Sequence, residues 1–115
     1  MVCLEMIGYF SDSPDSQPNP VPELDPDVPD SGNFIAVTGL DRYRQFNEDI
    51  HPLMQENDGI DTRLIKLPAN NAYAWLSDQR NYYLFGYPAV MITDTALIRN
   101  HNYHTETDTI DTLDF

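Results

Sequence analysis

Cysteine occurs once in these 115 residues, at Cys3. A single thiol excludes an internal disulfide and any multi-cysteine zinc or iron–sulfur cluster. Basic residues are also scarce: six Lys+Arg stand against 19 Asp+Glu, for a formal charge of -13. That balance argues against nucleic acid and membrane partners, whose phosphates are held chiefly by Lys and Arg. No apolar run approaches the roughly 20 residues of a membrane span. The start, Met1-Val2-Cys3-Leu4-Glu5-Met6, has neither the basic residues nor the apolar run of a secretory signal. The expectation is a soluble chain that carries no address of its own, with its compartment left open. There is no internal repeat, no Ser-His-Asp order, no Gly-rich phosphate loop and no His-Glu-x-x-His pattern.

The length fits one domain at most. Apolar residues are unevenly spread, because six of the nine prolines and six acids with no base fall between Ser11 and Asn33. Proline fixes φ and removes donors while the acids repel one another, so 11–33 is expected to be a long irregular loop contributing little core. The rest reads as alternating strands and helices, an α/β layer structure. Strands are predicted at Val2–Ile7, Phe34–Thr38, Asp61–Pro68 and Tyr87–Thr93, the third following a turn at Asn57-Asp58-Gly59. Tyr43, Phe46, Ile50, Leu53 and Met54 step as one helical face, which predicts an amphipathic helix from Asp41, its cap, to about Gln55. A short helix is expected over Ser77–Phe85, and Asp108–Phe115 begins as a helix would.

Two places carry unexplained polarity. Glu5 ends an apolar strand, where an unpaired carboxylate costs several kcal/mol unless a metal, a base or donors meet it. On the residues alone it is a satisfied core acid, a strand-end residue or a ligand. The cluster from Arg99 to Asp108 follows the most apolar strand, and strand exits are where ligand residues gather. His101 and His104, three apart within it, read either as exposed loop histidines or as a metal-binding pair. Ser77-Asp78 reads most simply as a helix N-cap.

The blocks Leu4-Glu5-Met6-Ile7-Gly8-Tyr9, Phe34 to Gly39, Ser77-Asp78, Gly86 to Ala96, Tyr103-His104-Thr105, and Asp108-Thr109 through Asp114 occur in one order. That series resembles the carboxy-terminal half of the zinc-dependent aminopeptidase family that includes the glutaminyl cyclases and glutamate carboxypeptidases, over nearly the whole chain. The resemblance implies part of a mixed-sheet, three-layer α/β zinc exopeptidase domain, phosphorylase/hydrolase-like and incomplete at both ends. It implies hydrolysis of amino-terminal peptide bonds in a peptide substrate by a water that two zinc ions activate. By position, Glu5 is similar to the acidic ligand of one zinc, His104 to the imidazole ligand of the other, and Tyr103 to a tyrosine that steadies the oxyanion.

Departures from the family are equally specific. Its His-x-Asp motif, bridging Asp and Glu-Glu pair, which includes the general base, have no counterpart here, and Gln79 stands where Ser-Asp-His is usual. These departures imply a fragment that is inactive by itself and awaits a complementary amino-terminal half. The alternative is a noncatalytic remnant acting as an acidic protein-interaction module. The acidic loop 11–33, close behind the Glu5 strand, is either a solvated surface or an edge of the active-site mouth.

Overall fold

The computed structural model describes residues 1–56 and 59–114. The predicted strands form one four-stranded mixed sheet, built from β1 (Val2–Leu4), β2 (Phe34–Leu40), β3 (Asp61–Leu67) and β4 (Val90–Thr93) in the order β1-β4-β2-β3. β1 runs parallel to β4 and β2 parallel to β3, while β2 and β4 are antiparallel. The helices are α1 (Arg44–Gln55), α2 (Gln79–Leu84) and α3 (Ala96–Arg99). The chain is therefore α/β, as the alternation of elements predicts, and its sheet is mixed, as the resemblance implies.

Strand alternation divides the core in two. Ile35 and Val37 of β2, with Val90 and Ile92 of β4, face α1, which lays Phe46, Ile50 and Met54 on them. These are three of the five positions of the predicted helical face. Leu53 instead points to solvent, and Asp41 does not cap the helix: it sits in a preceding 3-10 turn and accepts a 2.7 Å ion pair from Arg44. The approach of α1 to β2 depends on Gly39. A Cβ there would come within 2.8 Å of Cγ and Nδ2 of Asn47, a fully buried α1 residue whose amide donates to the Leu40 carbonyl. Gly39→Ala is therefore expected to cost about 2 kcal/mol through overpacking and strain on that bond. Urea unfolding checks this, and the double variant with Asn47→Ala should lose less than the sum of the two single losses.

The opposite face buries Phe34, Ala36, Leu40, Ile65 and Leu67 under Tyr83 of α2, Ala74 and, against expectation, the proline-rich loop. That loop is irregular as predicted, yet Val21 is buried among these residues and Val28 packs beside it. Backbone bonds from Ser11 to Gly32 and from Gln17 to Asp30 close it on itself, so Val21 and Val28 turn inward while Leu24 and most of its acids stay in water. The loop is a layer of the fold, and Ser11, Asp12 and Asn33 at its two ends line a surface cavity with Phe10, Ile60 and Asp114.

Several bounds differ from the sequence reading. β1 stops at Leu4, and β4 starts at Val90 because Tyr87 is exposed and the Pro88 carbonyl is occupied by the terminal ammonium of Met1. The tail forms only a 3-10 turn at Ile110–Thr112. α3 and a 3-10 turn at Ala72–Trp75 were not predicted. The predicted turn before β3 rests on Asn57 and Asp58, outside the described residues. Among the described residues no helix is long and apolar enough to cross a membrane.

Candidate active-site cleft

β1 and β4, lying side by side and parallel, end at the same margin of the sheet, and a cleft of about 500 Å³ opens there. Glu5 and Met6 enter it from the end of β1, Asp94 and Ala96 from the end of β4, and Tyr103 and His104 from the following loop. The three residues singled out for site chemistry, Glu5, Tyr103 and His104, thus line one cavity despite about a hundred residues of intervening chain. His101 is exposed and does not line it, so the proposed histidine pair is not brought together there.

The backbone around the cleft is bent in three places. Met6, Thr95 and His104 adopt left-handed φ, 53°, 61° and 58°, which non-glycine residues seldom do and which concentrates at functional sites. At Met6 the bend lets the carbonyl accept from the Asp94 amide at 2.7 Å, turning the chain across the end of β4. At His104 it folds the imidazole back over the Tyr103 ring, with centroids 3.8 Å apart and planes 18° from parallel. Asn100 braces this loop: its Nδ2 donates to Asp108 at 2.9 Å and its Oδ1 accepts from the Asn102 amide at 2.8 Å.

The sequence reading placed a buried carboxylate at Glu5, and the structure moves that role to Asp94. β1 is an edge strand, so Glu5 is only half-buried, and its Oε2 accepts from the Ser77 hydroxyl at 2.9 Å. Asp94 is 1% exposed. Its Oδ2 accepts from the amides of Gly8 at 2.8 Å and Tyr9 at 2.7 Å, and its Oδ1 from Ala96 at 2.7 Å. Burial pushes its carboxyl above the usual range, against the opposing pull of those three donors and of Arg99. The Arg99 guanidinium, also buried, is brought down to about 10 by desolvation, with Asp94 working the other way. Arg99 donates to Oε1 of Gln17 and to the Gly32 carbonyl, and its charge lies 4.4 Å from the centre of the Phe34 ring. These contacts tie the proline-rich loop to α3 directly behind the cleft.

Two further residues act differently from their sequence reading. Asp78 takes the N-cap position that the Ser77-Asp78 pair predicts, though its side chain makes no capping bond, and the Ser77 hydroxyl orients Glu5 instead. A long-range contact of this kind leaves no local signal. Gln79 is 1% exposed and packs on Met91 beneath the sheet, with its amide oxygen unpartnered, so it does not line the cleft. Among the described residues no three His, Cys, Asp or Glu side chains are grouped to hold a metal ion. Catalytic zinc takes three protein ligands, so these residues do not by themselves make such a site.

The chain is similar to uncharacterized protein YfbL of Escherichia coli (strain K12), 37% identical over 117 residues that cover 100% of this chain and 36% of that protein. It therefore spans just over a third of the length of this curated relative. No family model matches, and no solved structure matches.

Proposed function

We propose that this chain is a segment of a zinc-dependent, aminopeptidase-like hydrolase, and that its sheet is part of a three-layer zinc exopeptidase domain. The observation that carries the reading is the convergence of Glu5, Tyr103 and His104 on one cleft at the ends of two parallel strands. Ligands gather where parallel strands end, and the bent backbone at Met6 and His104 marks the same place. Glu5 and His104 each supply one oxygen or nitrogen donor, and the remaining donors come from outside this chain.

The chain's own contribution is positioning. Ser77 holds the Glu5 carboxylate in one orientation, and Asn100 with Asp108 holds the loop that presents His104. Tyr103 offers a hydroxyl to the oxygen of a peptide carbonyl as that oxygen gains charge, a role in which one donor is worth about a hundredfold in rate. The free amino group of the substrate is drawn to a surface of charge -13.

The chain alone is expected to release no chromophore from an aminoacyl anilide. Co-expressed with the part of the longer relative that it does not match, it should hydrolyse that reporter in a chelator-sensitive way. In that assembly Tyr103→Phe should lower kcat about a hundredfold with little change in KM. Chelator-sensitive cleavage by the lone chain, or an inert assembly, would count against the reading. The burial of Gln79, where Ser-Asp-His is usual in the resembled family, favours the second reading, a noncatalytic module that keeps packing and not chemistry. An inert assembly that still forms is the result this module predicts.

A further inference from the structure

α3 is four residues long, too short to hold its own shape, since the first turn of a helix fixes three residues for a single hydrogen bond. Its place is set from outside. Thr95, which leads into it, carries a left-handed φ of 61° that a β-branched residue rarely adopts. Such a residue persists only where its surroundings over-determine it. Here they include Gln17, a side chain of the proline-rich loop that is 3% exposed. Its Oε1 accepts from the Thr95 hydroxyl at 2.8 Å and also from Nε of Arg99, the last residue of α3. One oxygen thus clasps the helix at both ends. Gln17 is itself fixed: its Nε2 donates to the Pro18 carbonyl at 2.9 Å and its backbone N–H to the Asp30 carbonyl at 2.8 Å, so Oε1 is the atom left to face α3.

We propose that Gln17 is the positioning residue for the stacked pair Tyr103 and His104, acting through α3. The path is short and bonded throughout. The Asn100 amide donates to the Ala96 carbonyl at 2.7 Å, and the Asn100 carbonyl accepts from the Tyr103 amide at 3.0 Å, so the loop that presents the pair hangs from the end of α3. Asp94 holds only the first amide of that helix. At its other end the Arg99 side chain donates to Gln17 and to the Gly32 carbonyl, both in the proline-rich loop. Asn100 with Asp108 braces the presenting loop internally but does not fix it to the sheet. Among the described residues none of 11–33 lines the cleft, so Gln17 acts on the pair through α3 and not by touching what binds there. The roles of Tyr103 and His104 rest on the functional reading above; their placement by Gln17 is a property of this chain.

In the 115-residue chain the Tyr103 ring, 3.8 Å away centre to centre, should move the His104 ring protons upfield in the NMR spectrum. Gln17→Leu removes the acceptor at similar volume and should abolish about half of that shift or more, because a stack depends on ring separation and offset. Gln17→Glu keeps an oxygen facing Thr95 and Arg99 and should retain the shift. Thr95→Val removes one of the two bonds, should give an intermediate shift, and serves if Gln17→Leu does not fold. Gly39→Ala, which destabilises the opposite face of the sheet, should leave the shift unmoved. In the co-expressed assembly Gln17→Leu should lower kcat about tenfold with little change in KM, as a displaced reacting group does. An unmoved shift in Gln17→Leu, or in Thr95→Val where it stands in, an equal loss in Gly39→Ala, or an unchanged kcat in an active assembly would each overturn the proposal. A lost shift with an unmodified assembly inert toward the anilide would refute the peptidase reading and leave the positioning standing; an active assembly with the shift unmoved would do the reverse.

Discussion

Asp94→Ala is expected to lower stability by about 4 kcal/mol, the largest loss from any side chain at the cleft. The carboxylate is the shared acceptor for the amides of Gly8, Tyr9 and Ala96, and stranding buried N–H groups costs about 1–3 kcal/mol each before any relaxation. Its removal also takes a countercharge from buried Arg99. A domain of this size is stable by about 5–15 kcal/mol, so the variant should unfold at a much lower urea midpoint. Asp94→Asn keeps one acceptor oxygen and should lose about half as much.

The pH dependence separates burial from hydrogen bonding at this residue. Because burial raises the folded-state pKa, the ionised form is less favourable in the fold than in the unfolded chain. The stability that Asp94 contributes is therefore fully present below about pH 4 and is lost as pH rises through the raised value. The gap between the wild-type chain and Asp94→Asn should narrow over that rise and then stay constant. A gap that widens instead would mean that the three amides and Arg99 outweigh desolvation.

Arg99→Ala comes next, at an expected loss of about 3 kcal/mol. The guanidinium binds Gln17 and the Gly32 carbonyl and covers the Phe34 ring, so truncation leaves a buried acceptor unpaired and a void against the core. Its effect should be concentrated where the proline-rich loop meets α3. Limited proteolysis within 11–33 should speed up by more than the global stability loss accounts for. Arg99→Met fills most of the void and should recover about a third of the loss. One guanidinium nitrogen, Nη2, has no hydrogen-bond partner, so the native arginine is already incompletely compensated. Equal proteolysis of loop and core in Arg99→Ala would show that the loop is held by its other contacts, the packing of Val21 and Val28 and the bonds from Thr95 to Gln17 and from Arg63 to Asp27.

How much of this was legible in the sequence depends on the range over which each signal acts. The strands and α1 were legible because their cause is local: runs such as Phe34 to Thr38, and the spacing of Phe46, Ile50 and Met54, state a period within a few residues. α3 was not, because its four residues are too short for a period and its start is held by Asp94 and Thr93, whose bonding depends on the fold. Glu5, Tyr103 and His104 were found through ordered sequence blocks, whereas Ser77 as the partner of Glu5 was not, since 72 residues separate them.

The sequence by itself determined an acidic α/β chain with a long irregular proline-rich loop and three marked side chains, because composition and period are properties of neighbouring residues. Only the tertiary structure decided that Asp94 and not Glu5 is the buried acid, that the loop is a layer of the core, and that β1 is left with an open edge. Those facts follow from strand order and from which faces meet. A strand reads the same in sequence whether it lies at the centre or the margin of a sheet, and burial of a carboxylate is set by what packs across it.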